Sequence, residues 1–342
     1  MTYPLLEARD ISRTFSPHED LIGKVVRTAL RQPIPAHVRA LSNVSLALHT
    51  GEVLGVVGES GCGKSTLGRI LAGILQPSSG SLAFQGTPFS AMDPLTRAST
   101  FLKIQMIFQD PMSSLNPRKR VSDLIAEAPL VHGLLDPKDR DRFVHDALTR
   151  VGLDPQTQSR FPHQFSGGQR QRINIARALA VNPEILICDE SVAALDVSIQ
   201  AQILNVFMAL KEQGDLSFVF ISHDLGVVEH LCDRVAILYL GQIVEVGTVD
   251  ALFQAPQHPY TQALLKEIPR IGAGKRRFNP IRGEIPSPLS PPSGCPFHPR
   301  CPHSTPECTQ RMPGLQEVGH EHLAACHLLH GTPSHSLTEL SK

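Results

Sequence analysis

Apolar and polar positions alternate or bunch along this chain in a way that predicts strands first and helices between them. Residues 5–11 form a strand-like run ending at Phe15, and residues 44–48 alternate as a half-buried strand should. Residues 53–57 are wholly apolar, the mark of a strand buried on both faces. Leu67, Ile70, Leu71 and Leu75 follow at helical spacing, predicting a helix packed on a sheet. Further strands are expected at 81–84, 103–108, 185–188 and 217–224, with a hairpin over 235–246 turning at Gly241 and Gln242. Residues 121–152 carry two helical patterns with polar faces, and residues 16–38 interrupt the scheme as a proline-bounded insertion of unassigned role.

Chemistry enters where strands end. Between the strand at 53–57 and the helix lies GESGCGKST, comprising Gly58, Glu59, Ser60, Gly61, Cys62, Gly63, Lys64, Ser65 and Thr66. Glycines there let backbone N–H groups turn inward around an anion, and the helix start adds positive potential. Lys64 would reach the β and γ phosphates of a nucleotide while Ser65 takes a place on Mg²⁺. Ser166, Gly167, Gly168 and Gln169 form a second Gly-rich helix start with Ser166 as N-cap. These two anion sites either meet within one molecule or each meets its counterpart in another.

Residues 185–188 end in paired carboxylates. Asp189 would hold Mg²⁺ through water and Glu190 would polarise an attacking water; side chains adjacent on a strand point oppositely, so their roles differ. Gln109 ends one strand, as a Mg²⁺ ligand or water holder would, and His223 ends another, where a γ-phosphate sensor would stand.

Composition narrows the class. The 342 residues carry 32 Lys plus Arg against 32 Asp plus Glu, which offers no global basic field for nucleic acid. No apolar run approaches the roughly 18 residues of a membrane span, and MTYPLLEARD lacks an export signal, so a cytosolic chain is expected. Cys62, Cys188 and Cys232 stand singly and read as buried thiols, whereas Cys295, Cys301, Cys308 and Cys326 cluster near the end. In a cytosolic chain that cluster points to metal rather than disulfides. Ten of the 28 prolines lie between residues 280 and 313, predicting an extended segment with little regular structure. The Cys spacings match neither zinc-finger pairs nor ferredoxin runs, and several His are near, which leaves iron–sulfur, zinc and free thiols open.

Taken in order, GESGCGKST, Gln109, FSGGQ, ILICDE, AALD and SHD resemble the ATP-binding-cassette (ABC) ATPases. FQDPMSSLNPR, HPYTQALL and GEIPSPLSPPSGCPFHPRCP narrow the resemblance to the ATP-binding subunits of bacterial dipeptide and oligopeptide importers, over residues 5–328. The resemblance implies an α/β P-loop NTPase core of ABC type with a helical subdomain at about 110–180 and an antiparallel β subdomain. The cassette would occupy residues 1–255, and a Pro/Cys-rich extension residues 256–342. It implies ATP and Mg²⁺ as cofactors, and a 4Fe-4S cluster on Cys295, Cys301, Cys308 and Cys326 with zinc as rival.

It also implies a head-to-tail dimer, with itself or a paralogue, in which Ser166, Gly167, Gly168 and Gln169 of one copy complete the phosphate site of the other. Two transmembrane permease subunits, docked through the loop after Gln109 at the cytoplasmic face of the inner membrane, and an extracytoplasmic capture protein would be the partners; no nucleic acid is expected. Phe15 stands where the family stacks a Tyr on adenine, keeping the ring face. Ser191 and Ala193 depart from the usual Pro and Ser, which weakens the expected cross-dimer role of Asp196. A soluble cassette clamping nucleic acid or ribosomes, and an importer of a nickel chelate or glutathione, are the alternatives.

Overall fold

The computed structural model describes residues 3–16, 37–192, 196–214, 216–267, 281 and 283–329. The proline-bounded insertion, apart from its ends, and Ala193 lie outside the described residues.

Among the described residues twelve strands build two sheets. The smaller is antiparallel, in the order β2-β1-β4-β5, from β1 (Leu6–Phe15), β2 (Val38–Leu48), β4 (Ser79–Phe84) and β5 (Thr87–Pro88). The larger has eight strands in the order β11-β12-β10-β9-β3-β8-β7-β6. Its centre is β3 (Val53–Val57), β6 (Ile104–Ile107), β7 (Ile185–Asp189), β8 (Ser217–Ser222) and β9 (Arg234–Tyr239), all pairing in parallel. β10 (Gln242–Thr248) turns back against β9, which makes the predicted hairpin.

The parallel strands are apolar throughout because both faces are covered. Val53, Val57, Leu186, Cys188, Phe218 and Phe220 point into one core. Leu54, Val56, Ile185, Ile187, Val219 and Ile221 point into another, so the alternation set by the pleat feeds two layers at once. Helices fill the crossovers. Lys64–Leu71 follows β3, and Val121–Val131, Arg140–Arg150 and Gly167–Leu179 form the expected helical region between β6 and β7.

Regular structure returns after the proline-rich stretch. A short helix at Pro306–Gln310 precedes β11 (Gln316–Gly319) and β12 (His322–Ala324), and β12 pairs antiparallel with β10. Among the described residues of 280–313 only that short helix is regular, as the proline content predicts; the hairpin beyond them lengthens the core sheet. Three residues are too few for periodicity to reveal a strand, and the partner of β12 lies more than 70 residues earlier.

Among the described residues no helix is long and apolar enough to cross a membrane.

Candidate functional site: a phosphate-binding loop and its carboxylates

The adjacent parallel strands β3, β8, β7 and β6 all present their carboxyl ends to one edge of the sheet. Ligands of open α/β sheets bind at such an edge. There the sequence places the 58–66 loop after β3, His223 after β8, Asp189 and Glu190 at the end of β7, and Gln109 after β6.

The loop folds as its glycines dictate. At Gly63, φ is 108°, and an added Cβ would stand 2.4 Å from the Ala40 carbonyl oxygen. At Gly58 a Cβ would stand 2.1 Å from the Leu238 carbonyl oxygen. No side chain fits at either place. Lys64 is buried, and its Nζ donates to the carbonyls of Gly58 at 2.8 Å and Glu59 at 3.1 Å, tying the loop across its mouth. The Cys62 thiol is buried, which raises its pKa, as its reading as a small core residue requires.

Ser65 Oγ donates to Asp189 Oδ1 at 2.8 Å. Burial raises the Asp189 pKa, with the Ser65 hydrogen bond acting the other way. A hydroxyl and a carboxylate in contact at the start of the loop helix fit a hard, oxygen-seeking ion such as Mg²⁺. Next along, the Glu190 carboxylate gathers three groups. Gln109 Nε2 donates to it at 2.8 Å, His223 Nδ1 lies 3.5 Å away and Lys64 Nζ 3.8 Å away. Glu190 itself has φ 47°, a conformation bulky residues rarely adopt, and its N–H is held by the Ile221 carbonyl at 3.0 Å.

The second anion motif caps itself. Ser166 Oγ accepts from the Gln169 N–H, and Gln169 Oε1 accepts from the Ser166 N–H at 3.0 Å, a reciprocal capping box at the start of Gly167–Leu179. Ser166, Gly167 and Gln169 are exposed, and among the described residues no hydrogen bond joins them to the 58–66 loop. Asp196 is exposed and caps the helix Val197–Glu212 through its backbone; Ser191 is buried. Phe15 is 37% exposed, with the Arg13 guanidinium 4.8 Å from its ring centroid.

The family model described as ABC transporter matches residues 41–193, and that of the oligopeptide/dipeptide transporter C-terminal region matches residues 244–308. The oligopeptide transport ATP-binding protein AppF of Bacillus subtilis is 46% identical over 328 residues, covering 95% of this chain and 97% of that protein. The chain belongs to the ABC ATPases of this transporter family. Dipeptide transport ATP-binding protein DppF of Escherichia coli is 46% identical over 324 residues, 94% of either chain. Among solved structures, the dimeric post-hydrolysis state of the ATP-binding cassette MJ0796, bound to ADP and Pi, matches with a TM-score of 0.60 at 26% identity. It covers 71% of this chain and 98% of that one.

Beside the phosphate-binding loop lies a polar and aromatic cluster that the sequence reading missed. Arg300 makes a bidentate pair with Glu59 at 2.6 and 3.0 Å, and that pairing holds its pKa above the usual arginine value. Tyr260 Oη accepts from the Glu59 N–H at 3.0 Å. Glu245, fully buried, accepts from the backbone N–H groups of Gln257 and His258 and contacts His322 Nε2 at 2.7 Å. An Arg amid cysteines gave no local signal; the HPYT phrase was visible only as a family mark.

The four cysteines of the extension lie close to one another. Burial pushes the Cys295 thiol up to about 11, with Cys308, Cys326 and Cys301 close enough to add to the effect. The N–H groups of Phe297, His303 and Leu328 act oppositely on Cys295, Cys301 and Cys326. Among the described residues no three His, Cys, Asp or Glu side chains are already grouped to hold a metal ion. The segment is held by other means: Cys295 N–H donates to the Cys308 carbonyl at 2.8 Å, and His298, His322 and His327 each meet an oxygen partner.

Proposed function

We propose that this ATPase powers import of dipeptides or oligopeptides through a membrane permease. The observation that carries the catalytic part is the convergence of Gln109, His223 and Lys64 on Glu190, beside the Ser65–Asp189 pair. The peptide class follows from the names of the relatives, which match nearly end to end.

In this reading the N–H groups of residues 58–66 and the Lys64 ammonium receive the β and γ phosphates of ATP, and Phe15 stacks on adenine. Ser65, Asp189 and Gln109 would hold Mg²⁺, which would supply charge neutralisation on the phosphate oxygens. Glu190 accepts a proton as its water attacks the γ phosphorus; the bond to the β,γ-bridging oxygen breaks, and ADP keeps the electron pair. His223 contacts the γ phosphate and fixes the position of Glu190.

The solvent-facing Ser166, Gly167 and Gln169, with the buried Gly168 between them, suit a role across a dimer interface, completing the site of a second copy or a paralogue near Asp196. Two permease subunits dock through the loop after Gln109, at the cytoplasmic face of the membrane, and an extracytoplasmic protein delivers the solute. The division into a cassette at residues 1–255 and an extension at 256–342 belongs to the same reading.

The test is co-purification with hydrophobic subunits from detergent-solubilised membranes, together with ATP-driven association of a Glu190→Gln variant. A variant that stays monomeric with Mg-ATP would overturn the dimer. For the extension, four neighbouring thiols support metal uptake by Cys295, Cys301, Cys308 and Cys326, with iron–sulfur ahead of zinc. Anaerobic purification with visible absorbance and metal analysis decides between them, and a colourless protein with stoichiometric zinc ends the cluster assignment.

A further inference from the structure

The phosphate-binding loop contains its own electrostatic problem. Glu59 is its second residue, and a carboxylate there opposes the negative charge that the loop amides and Lys64 exist to receive. The solution comes from the far end of the chain. Arg300 Nη1 donates to Glu59 Oε2 at 2.6 Å and Nη2 to Oε1 at 3.0 Å, the paired fork that carboxylates bind best. The Arg300 side chain is only 4% exposed, so water screens this contact little.

The clasp is braced by aromatic neighbours. Arg300 Nη1 also reaches the Tyr239 hydroxyl at 3.4 Å, and its guanidinium lies 6.0 Å from that ring's centroid. Tyr239, Tyr260 and Phe297 are all fully buried and pack with centroids 4.6 to 5.3 Å apart. Tyr260 then takes the Glu59 N–H, so one residue of the loop is gripped by both backbone and side chain. Arg300 is itself fixed by its N–H to the Phe297 carbonyl, inside the turn between Cys295 and Cys301. Lys64 bonds to the Glu59 carbonyl, so any shift of Glu59 reaches the phosphate-binding ammonium directly.

We infer that Arg300 is a positioning residue for ATP, through which the C-terminal extension holds the Glu59 carboxylate off the phosphates and sets the first turn of the loop. This rests on the ATPase reading above and adds to it a task for the extension within the nucleotide site.

The experiment uses the full chain and reads ATP affinity and steady-state kinetics for Arg300→Met, Arg300→Lys and Arg300→Met combined with Glu59→Gln. Arg300→Met is expected to weaken ATP binding and raise KM about tenfold, equivalent to about 1.4 kcal/mol, with kcat little changed. Arg300→Lys gives a smaller rise, since a point charge replaces the fork. Adding Glu59→Gln to Arg300→Met returns KM toward that of the unmodified protein, because the uncompensated charge is gone; a purely structural Arg300 would show no such rescue. Unchanged affinity in Arg300→Met, or absence of rescue in the double variant, overturns the inference while leaving ATP hydrolysis intact. Should Arg300→Met fail to fold, Arg300→Lys with and without Glu59→Gln carries the comparison, and no rise in KM overturns it. Failure of the unmodified protein to bind ATP would instead remove the ATPase reading and this inference together.

Discussion

Gln109 Nε2 donates to Glu190 Oε2 at 2.8 Å, joining the end of β6 to the end of β7. The bond orients a carboxylate already held in a left-handed backbone conformation at φ 47°. Glu190→Gln keeps the shape and removes the proton acceptor. Turnover should fall by roughly 10² to 10⁴, the usual worth of a general base, while ATP binding measured by fluorescence titration persists. A variant hydrolysing at the normal rate would remove Glu190 from the chemistry.

Ser65 and Asp189 form the second pair. Replacing Ser65 with Ala removes a hydroxyl bonded to a part-buried carboxylate, a contact worth about 1.5–3 kcal/mol. The Mg²⁺ concentration needed for half-maximal ATPase activity should therefore rise by about tenfold or more. A metal titration that superimposes on that of the unmodified protein would show that Ser65 contributes nothing to the ion site.

Gly63 leaves no room for substitution. Gly63→Ala forces a Cβ to within 2.4 Å of the Ala40 carbonyl at a φ of 108°. The backbone strain alone is about 1–3 kcal/mol, so thermal unfolding should shift downward and ATP binding should be lost. Retention of both would mean that the loop relaxes freely.

Much of this site was legible beforehand because its signals are local. Residues 53–57, 185–188 and 217–222 are short apolar runs whose burial follows from composition alone, and each ends on the residue that matters. The glycines of the phosphate loop, the Ser166 cap and the adjacent carboxylates all declare themselves within nine residues or fewer. What stayed hidden depends on distance. Arg300 meets Glu59 across 241 positions, and nothing near either residue announces the other. β12 is three residues long and gains its meaning from β10. The clustering of four cysteines is a local signal of metal; that His298, His322 and His327 each meet an oxygen partner is not visible from the sequence.

Acid should loosen the extension through His258. Burial lowers its pKa from 6.5 to about 4, partly offset by the neighbouring Glu245 carboxylate, which also contacts His322. The unfolded chain takes up a proton as pH falls through 6.5, and the folded chain does so only near 4. Stability present at neutral pH is thus lost progressively across that window, by about 3 kcal/mol in full. His258→Asn offers an amide oxygen in place of Nδ1 to accept the Tyr260 N–H and cap the helix Pro259–Lys266, and does not titrate. Denaturant midpoints between pH 6.5 and 4.5 should fall more steeply for the unmodified protein than for this variant; parallel curves would assign the acid sensitivity elsewhere.

The pairing of β12 with β10 has a consequence for how this protein is made. β10 leaves the ribosome with one edge open, and the residues that cover it are synthesised about 75 positions later. At translation speeds of roughly 5–20 residues per second, the wait lasts on the order of 4–15 s. During that interval a bare apolar strand margin is available to any neighbouring nascent chain. Residues 316–324 therefore act as a seal, and a chain truncated before residue 316 should yield insoluble product even though every nucleotide-binding motif has already been made.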